Sequence, residues 1–188
     1  MIGRVAASKT SPVIALLRGI NVGGKNKLTM ADLRAIAGDV GFPDATTYVQ
    51  SGNVVLPTVA AGRVGTVASQ LHAAIEERTG LDIPVITRTF DEWQAIIDAN
   101  PFPAAAADGT KLHVIVLDAP VTKALAGFDA ASFAPEEVEF GERVVYLSLP
   151  DGMGRSKLAV ALQRVGNAKS GTARNWRTVL ALADLAKE

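Results

Sequence analysis

The 188-residue chain has no cysteine. That excludes disulfides, thiolate metal sites and cysteine nucleophiles together, and it fits a reducing compartment. Only two histidines occur, His72 and His113, so a multi-histidine metal site cannot form within one chain. Neither has a serine or carboxylate at triad spacing, and each reads as a partly buried structural histidine. Net charge is also absent. Nineteen basic residues balance nineteen acidic ones, which is not the composition of a generally basic nucleic-acid binder. The first ten residues hold no apolar core of signal-peptide length. The longest apolar run, around residues 13–17, is far too short to span a membrane. The expectation is a cytoplasmic protein with no membrane partner and no cofactor, whose residues 1–11 form a flexible tail.

What the chain does have is alanine- and valine-rich apolar sequence with regular punctuation. Its length suits one ordinary domain or two small subdomains, and burial of roughly 70% of the unfolded surface needs no covalent staple. The branched run at 12–20 reads as a buried strand, followed by a glycine-rich loop. Met30, Leu33, Ile36 and Ala37 are spaced for one face of a helix over 30–40, with Thr29 as N-cap and Gly41 as its stop. Two β-prone runs flank Ser51-Gly52 and predict a hairpin with a two-residue turn. A helix over 64–79, closed by Gly80, and a strand over 83–90 complete a βαββαβ order, the ferredoxin-like pattern. Beyond it come a helix at 91–99, a strand at 111–118, a short helix at 121–127 and a second hairpin around Gly141-Glu142. Helices at 157–165 and 172–186 end the chain, with Thr172 capping the last. No exact internal repeat is visible, and the second half has only a loosely similar order. The Pro/Ala stretch at 100–110 reads as the boundary. The expected fold class is α+β, with a ferredoxin-like subdomain over 12–100. A second subdomain over 101–188 holds a small sheet and the C-terminal helices.

Five segments stand in order along the chain: RGINVGGKNK (18–27), QSGNVV (50–55), NPF (100–102), PDGMGRSKL (150–158) and TARNWRTVL (172–180). Together they resemble the bacterial domain-of-unknown-function family 1697, over about residues 13–185. The resemblance implies an α+β fold with a ferredoxin-like first part. It brings no activity and no functional residues.

Chemistry is sparse. Gly19, Gly24 and Lys25 match the G-x-x-x-x-G-K spacing of a P-loop, after a strand and before a helix. Asn26 stands where the magnesium-binding hydroxyl belongs, the helix starts too late, and the chain order is not that of a nucleotide hydrolase. No magnesium-dependent NTPase activity is expected. A milder reading keeps Gly23 and Gly24 as a backbone nest for an anion, with Arg18, Lys25 and Lys27 beside it; the bland alternative is a tight glycine turn. The segment 150–178 carries six basic residues (Arg155, Lys157, Arg164, Lys169, Arg174, Arg177) against Asp151, or +5, so the rest of the neutral chain is −5. Trp176 is placed either to stack on a base or in the core, and its helical spacing with Val179 and Leu180 favours the core.

The expected site is therefore an anion-binding cleft. It is bordered by Arg18, Lys25, Lys157 and Arg174, with Asn21, Ser51, Asn53 and Asn175 as neutral donors and Gly23 and Gly24 as backbone donors. Its ligand would be a phosphate-containing small molecule or RNA bound without catalysis. An enzyme acting on a nucleotide or phosphate substrate at the same cleft, and a purely structural interaction protein, stay open.

Overall fold

The computed structural model describes residues 10–188. Of the expected tail, residues 1–9 lie outside the described part, and Thr10 and Ser11 already belong to the first strand. The described chain forms two compact units. One runs up to Asp91 and includes Asp184–Glu188, and the other is Glu92–Ala183. The stretch at 100–110, expected at the boundary, lies within the second unit, where it contains a short helix.

The first unit is built in the order β1 (Thr10–Leu17), α1 (Met30–Asp39), β2 (Thr46–Tyr48), β3 (Asn53–Ala60), α2 (Val67–Thr79) and β4 (Val85–Thr89). Its sheet has the order β2-β3-β1-β4, and every pairing is antiparallel. The expected βαββαβ order is therefore present, and β1, the hairpin and the strand after α2 share one sheet. A parallel alternating sheet, which a P-loop requires, is not what forms. Alternation along β1 puts Val13, Ala15 and Leu17 on one face. They pack with Val54 and Leu56 of β3, with Leu33 and Ile36 of α1, and with Leu71 and Ile75 of α2. Each of these large side chains contributes about 1.5–3 kcal/mol through burial.

Local signals set the ends. The Thr29 hydroxyl accepts from the Asp32 N–H (3.0 Å) and donates to the Asp32 carboxylate (2.6 Å), so α1 starts where expected. Gly80 adopts φ 69° and closes α2. The hairpin departs from expectation. Tyr48 pairs with Asn53, so four residues connect the strands rather than two.

The second unit follows with α3 (Phe90–Asp98), whose first two residues fall in the first unit, and α4 (Pro103–Ala107). Then come β5 (Leu112–Val116), α5 (Lys123–Ala126), β6 (Glu137–Phe140), β7 (Val144–Ser148), α6 (Lys157–Leu162), β8 (Thr172–Asn175) and α7 (Trp176–Leu185). The sheet order is β6-β7-β5-β8, again wholly antiparallel. Ile115 and Leu117 pack with Val145, Leu147, Leu158 and Leu162 in a separate core.

The two units are the same fold used twice. Adding four to each strand number of the first sheet gives the order of the second. The registers agree as well. Ile14 lies between Val55 and Arg88, and Val114 lies between Tyr146 and Arg174. The Leu17 N–H donates to the Gly52 carbonyl (2.8 Å), as the Leu117 N–H donates to that of Arg143 (3.0 Å). Arg88 and Arg174 each donate through Nη1 to the carbonyl of the preceding residue, both at 2.7 Å. Each fourth strand then runs directly into a helix, α3 or α7.

This duplication corrects the C-terminal expectation. Residues 172–175 are strand, not the start of a helix, because β5 needs an edge partner. Thr172 pairs with Val116 and caps nothing; the Asn175 carboxamide oxygen accepts the Thr178 N–H (2.9 Å) at the start of α7. The helix expected to reach residue 165 stops at Leu162, and Gly166 then turns the chain at φ 49°.

Gly52 and Gly24 both have φ 77°, but their surroundings differ. A Cβ on Gly52 would stand 2.6 Å from Leu17 Cβ and 2.9 Å from Ile20 Cδ1, whereas one on Gly24 meets nothing within 4 Å. Urea unfolding should show Gly24→Ala costing about 1–2 kcal/mol from conformation alone. Gly52→Ala should cost a further 1–3 kcal/mol or so from overpacking. Equal losses would contradict the close approach of the turn to β1.

Candidate functional site

Two loops of the first unit, 18–28 and 49–52, meet at one end of its sheet. The glycine loop is a miniature hairpin. The Lys25 N–H donates to the Val22 carbonyl and the Asn21 N–H to that of Asn26, both at 3.1 Å. Gly23 and Gly24 occupy the two turn positions with φ 59° and 77°, which only glycine adopts freely and which two-residue hairpin turns require. The tight-turn reading of the glycines is thus what the backbone adopts. Lys25 lies in the hairpin, four residues before the Thr29 cap, and not in the first helical turn where a P-loop lysine stands.

Asn21 joins this hairpin to its neighbour. Its carboxamide oxygen accepts the Leu28 N–H (3.0 Å), and its nitrogen donates to the carbonyls of Leu28 and Gln50, each at 2.9 Å. Asn26 steadies the base by donating to the Gly19 carbonyl (3.0 Å). In the second loop Asn53 is wholly buried and donates to the Tyr48 carbonyl (3.0 Å) and the Ser51 hydroxyl (2.9 Å). Asn21 thus lies against the loop that holds Ser51 and Asn53. The two asparagine side chains nevertheless face inward, where both N–H donors of each shape the loops.

What remains outward is cationic and apolar. Lys25 and Lys27 are exposed and pair with no carboxylate among the described residues. The amides of Gly23 and Gly24 donate to no described residue. Arg18 is half-buried beside them, and its backbone N–H donates to the Pro84 carbonyl (3.0 Å). Neither 18–28 nor 45–53 contains an acidic residue. Val22 is 67% exposed and Val49 51%. Val49 also holds φ 48°, a rare conformation for a β-branched residue. Sequence patterning carries no signal for this pair of valines.

The expected residues of the second unit do other work. The Ser156 hydroxyl caps α6 by accepting the Ala159 N–H (2.8 Å), and the Glu136 carboxylate accepts the Leu158 N–H (2.9 Å). A carboxylate thus already occupies the first turn that carries exposed Lys157. Arg174 is buried in β8, donates to the Thr172 hydroxyl (2.8 Å), and has its pKa pushed down to about 10 by burial. Asn175 is committed to capping. Trp176 is buried, as its spacing predicted.

A shallow cleft of about 520 Å³ lies in the same unit, lined by Ala106, Ala107, Asp108, Gly109, Trp176, Arg177 and Leu180. Asp108 binds the Thr110 hydroxyl (2.7 Å), which with the Thr110 N–H and nearby Lys111 and Arg177 lowers its pKa. A Cβ on Gly109 would stand 2.5 Å from Arg177 Cγ, so a side chain there would displace Arg177. No group of three or more His, Asp or Glu among the described residues is placed to hold a metal ion. No described helix is long and apolar enough to cross a membrane.

A family model described as "Protein of unknown function (DUF1697)" matches residues 11–146. The chain belongs to this family. The fold of this DUF1697 member is similar to that of conserved bacterial protein SP0830 from Streptococcus pneumoniae. The TM-score is 0.70 at 18% identity, over 96% of this chain and 100% of that one. At that identity the likeness speaks for the fold alone. No curated protein matches.

The two histidines of the DUF1697 chain differ in setting. His72 Nδ1 lies 2.9 Å from the Ile83 carbonyl, with Nε2 3.6 Å from Asp82 and 3.9 Å from Glu76. His113 is buried in β5, its Nδ1 has no hydrogen-bond partner among the described residues, and burial lowers its pKa. The folded state therefore resists a proton that the unfolded state accepts near pH 6.5. Stability should fall as pH drops through 6.5 and level off below the depressed folded value. His113→Leu should flatten this part of a Tm-versus-pH profile between about pH 7.5 and 5; an unchanged slope would show that His113 does not contribute.

Proposed function

We propose that this DUF1697 protein is a binding protein for a phosphate-containing anion, held on the first unit at the surface of loops 18–28 and 49–52. The observation that carries the reading is the bond from the Asn21 carboxamide to the Gln50 carbonyl (2.9 Å). It fixes two acid-free loops side by side, one of them bearing exposed Lys25 and Lys27 and the outward amides of Gly23 and Gly24. Cations beside backbone donors are the usual means of holding phosphate. A preformed hairpin lowers the ordering cost of binding. The reading rests on first-unit residues, because Lys157, Arg174 and Asn175 sit beside a carboxylate, within a sheet and at a helix cap.

Exposed lysine–phosphate contacts are screened by solvent, so each contributes about 1 kcal/mol or less. Isothermal titration with inorganic pyrophosphate at low salt should show saturable binding. Lys25→Ala/Lys27→Ala should weaken it by about tenfold, and by no more than about thirtyfold, while Lys157→Ala leaves it unchanged. Equal affinity of wild type and the double lysine variant, or no binding by wild type, would overturn the assignment.

A further inference from the structure

The same surface carries more than a phosphate needs. Val22 follows Asn21 and Val49 precedes Gln50, so each of the two loops joined by the 2.9 Å bond between Asn21 and Gln50 carries an exposed valine. The glycine hairpin is exposed at every residue from Val22 to Lys27, so it projects rather than encloses. Small-molecule sites are concave and cover most of their ligand. A projecting surface is suited instead to an extended chain, which gains affinity by repeated contacts along its length.

We propose, resting on the phosphate reading above, that the ligand is a single-stranded polynucleotide. Its phosphodiesters would lie against Lys25, Lys27 and the glycine amides, and unstacked bases would lie on the exposed valines, Val22 of one loop and Val49 of the other. The charge pattern is complementary to such a strand, since neither loop holds a carboxylate that would repel it. Apolar contact with a base face is tolerant of sequence, so the expected binding is weakly sequence-dependent. Duplex ends and grooves offer no unstacked base to the valines, so single strands should be preferred.

Val49 makes the proposal separable from folding. Its φ of 48° strains a β-branched residue and suits glycine. Val49→Gly should therefore keep Tm at or above that of wild type while removing an apolar contact.

The experiment is fluorescence anisotropy on the full chain with a labelled single-stranded RNA of about 12 nucleotides, within the span such surfaces cover. A duplex of the same length and pyrophosphate serve as competitors. The RNA should bind about tenfold or more tighter than pyrophosphate. With about three phosphates contacted, log K should fall with log salt at a slope near −2. Lys25→Ala/Lys27→Ala should lower RNA affinity by about tenfold, and Val49→Gly by about threefold with its fold intact. Failure can take two distinguishable forms. If pyrophosphate binds through the lysines but RNA binds no tighter, or Val49→Gly leaves RNA affinity unchanged, the polynucleotide is wrong and the phosphate surface stands. If RNA and pyrophosphate are both indifferent to the two lysines, both assignments fall.

Discussion

One carboxamide holds the candidate surface together. Asn21 uses its oxygen and both of its N–H donors on backbone groups of Leu28 and Gln50. No other residue type of that size offers one acceptor and two donors in a plane, and aspartate would meet two carbonyls with no proton to give. Asn21 itself adopts φ 54°, a conformation asparagine tolerates better than most residues. The bridge adds to the close approach of Gly52 to Ile20 and ties the glycine hairpin itself to the 49–52 turn. With it, they become one surface whose cations and valines have fixed neighbours.

The bridge depends in turn on how the sheet ends. The Leu17 N–H reaches the Gly52 carbonyl, and Gly52 lies so close to Leu17 and Ile20 that no side chain fits. Asn53, fully buried, then closes the turn by donating to Tyr48 and Ser51. A buried amide left unpaired would cost about 1–3 kcal/mol, so its two donors are satisfied locally. The QSGN motif is thus structural in its serine, glycine and asparagine. Gln50 takes part through its backbone carbonyl, the acceptor for Asn21.

Much of the first unit was legible in the chain. The apolar run of β1, the Thr29 cap and the Gly80 stop each act through local rules, and their order specifies βαββαβ. The second copy of that fold was not. The units share register and strand order, yet β1 and β5 meet only the demand for buried apolar residues, which many sequences satisfy. The strand at 172–175 was hidden because Thr172, Arg174 and Asn175 also suit a helix start, and only the need of β5 for an edge partner decides. At the site, the glycines and lysines were visible as a pattern. The use of Asn21 to join the two loops was not, since hydrogen-bond partners 29 residues apart leave no trace in spacing. Val22 and Val49 were silent because an exposed valine looks in sequence like a buried one.

The pairing of the two loops into one binding surface is tested most directly by amide chemical-shift mapping on the ¹⁵N-labelled full chain, titrated with the single-stranded RNA. The account predicts that Gly23, Gly24 and Lys25 shift together with Gln50, Ser51 and Gly52 along one saturation curve, and that Asn21→Ala uncouples the two sets. Shifts confined to one loop, or centred on the cleft at Asp108 and Arg177, would contradict it.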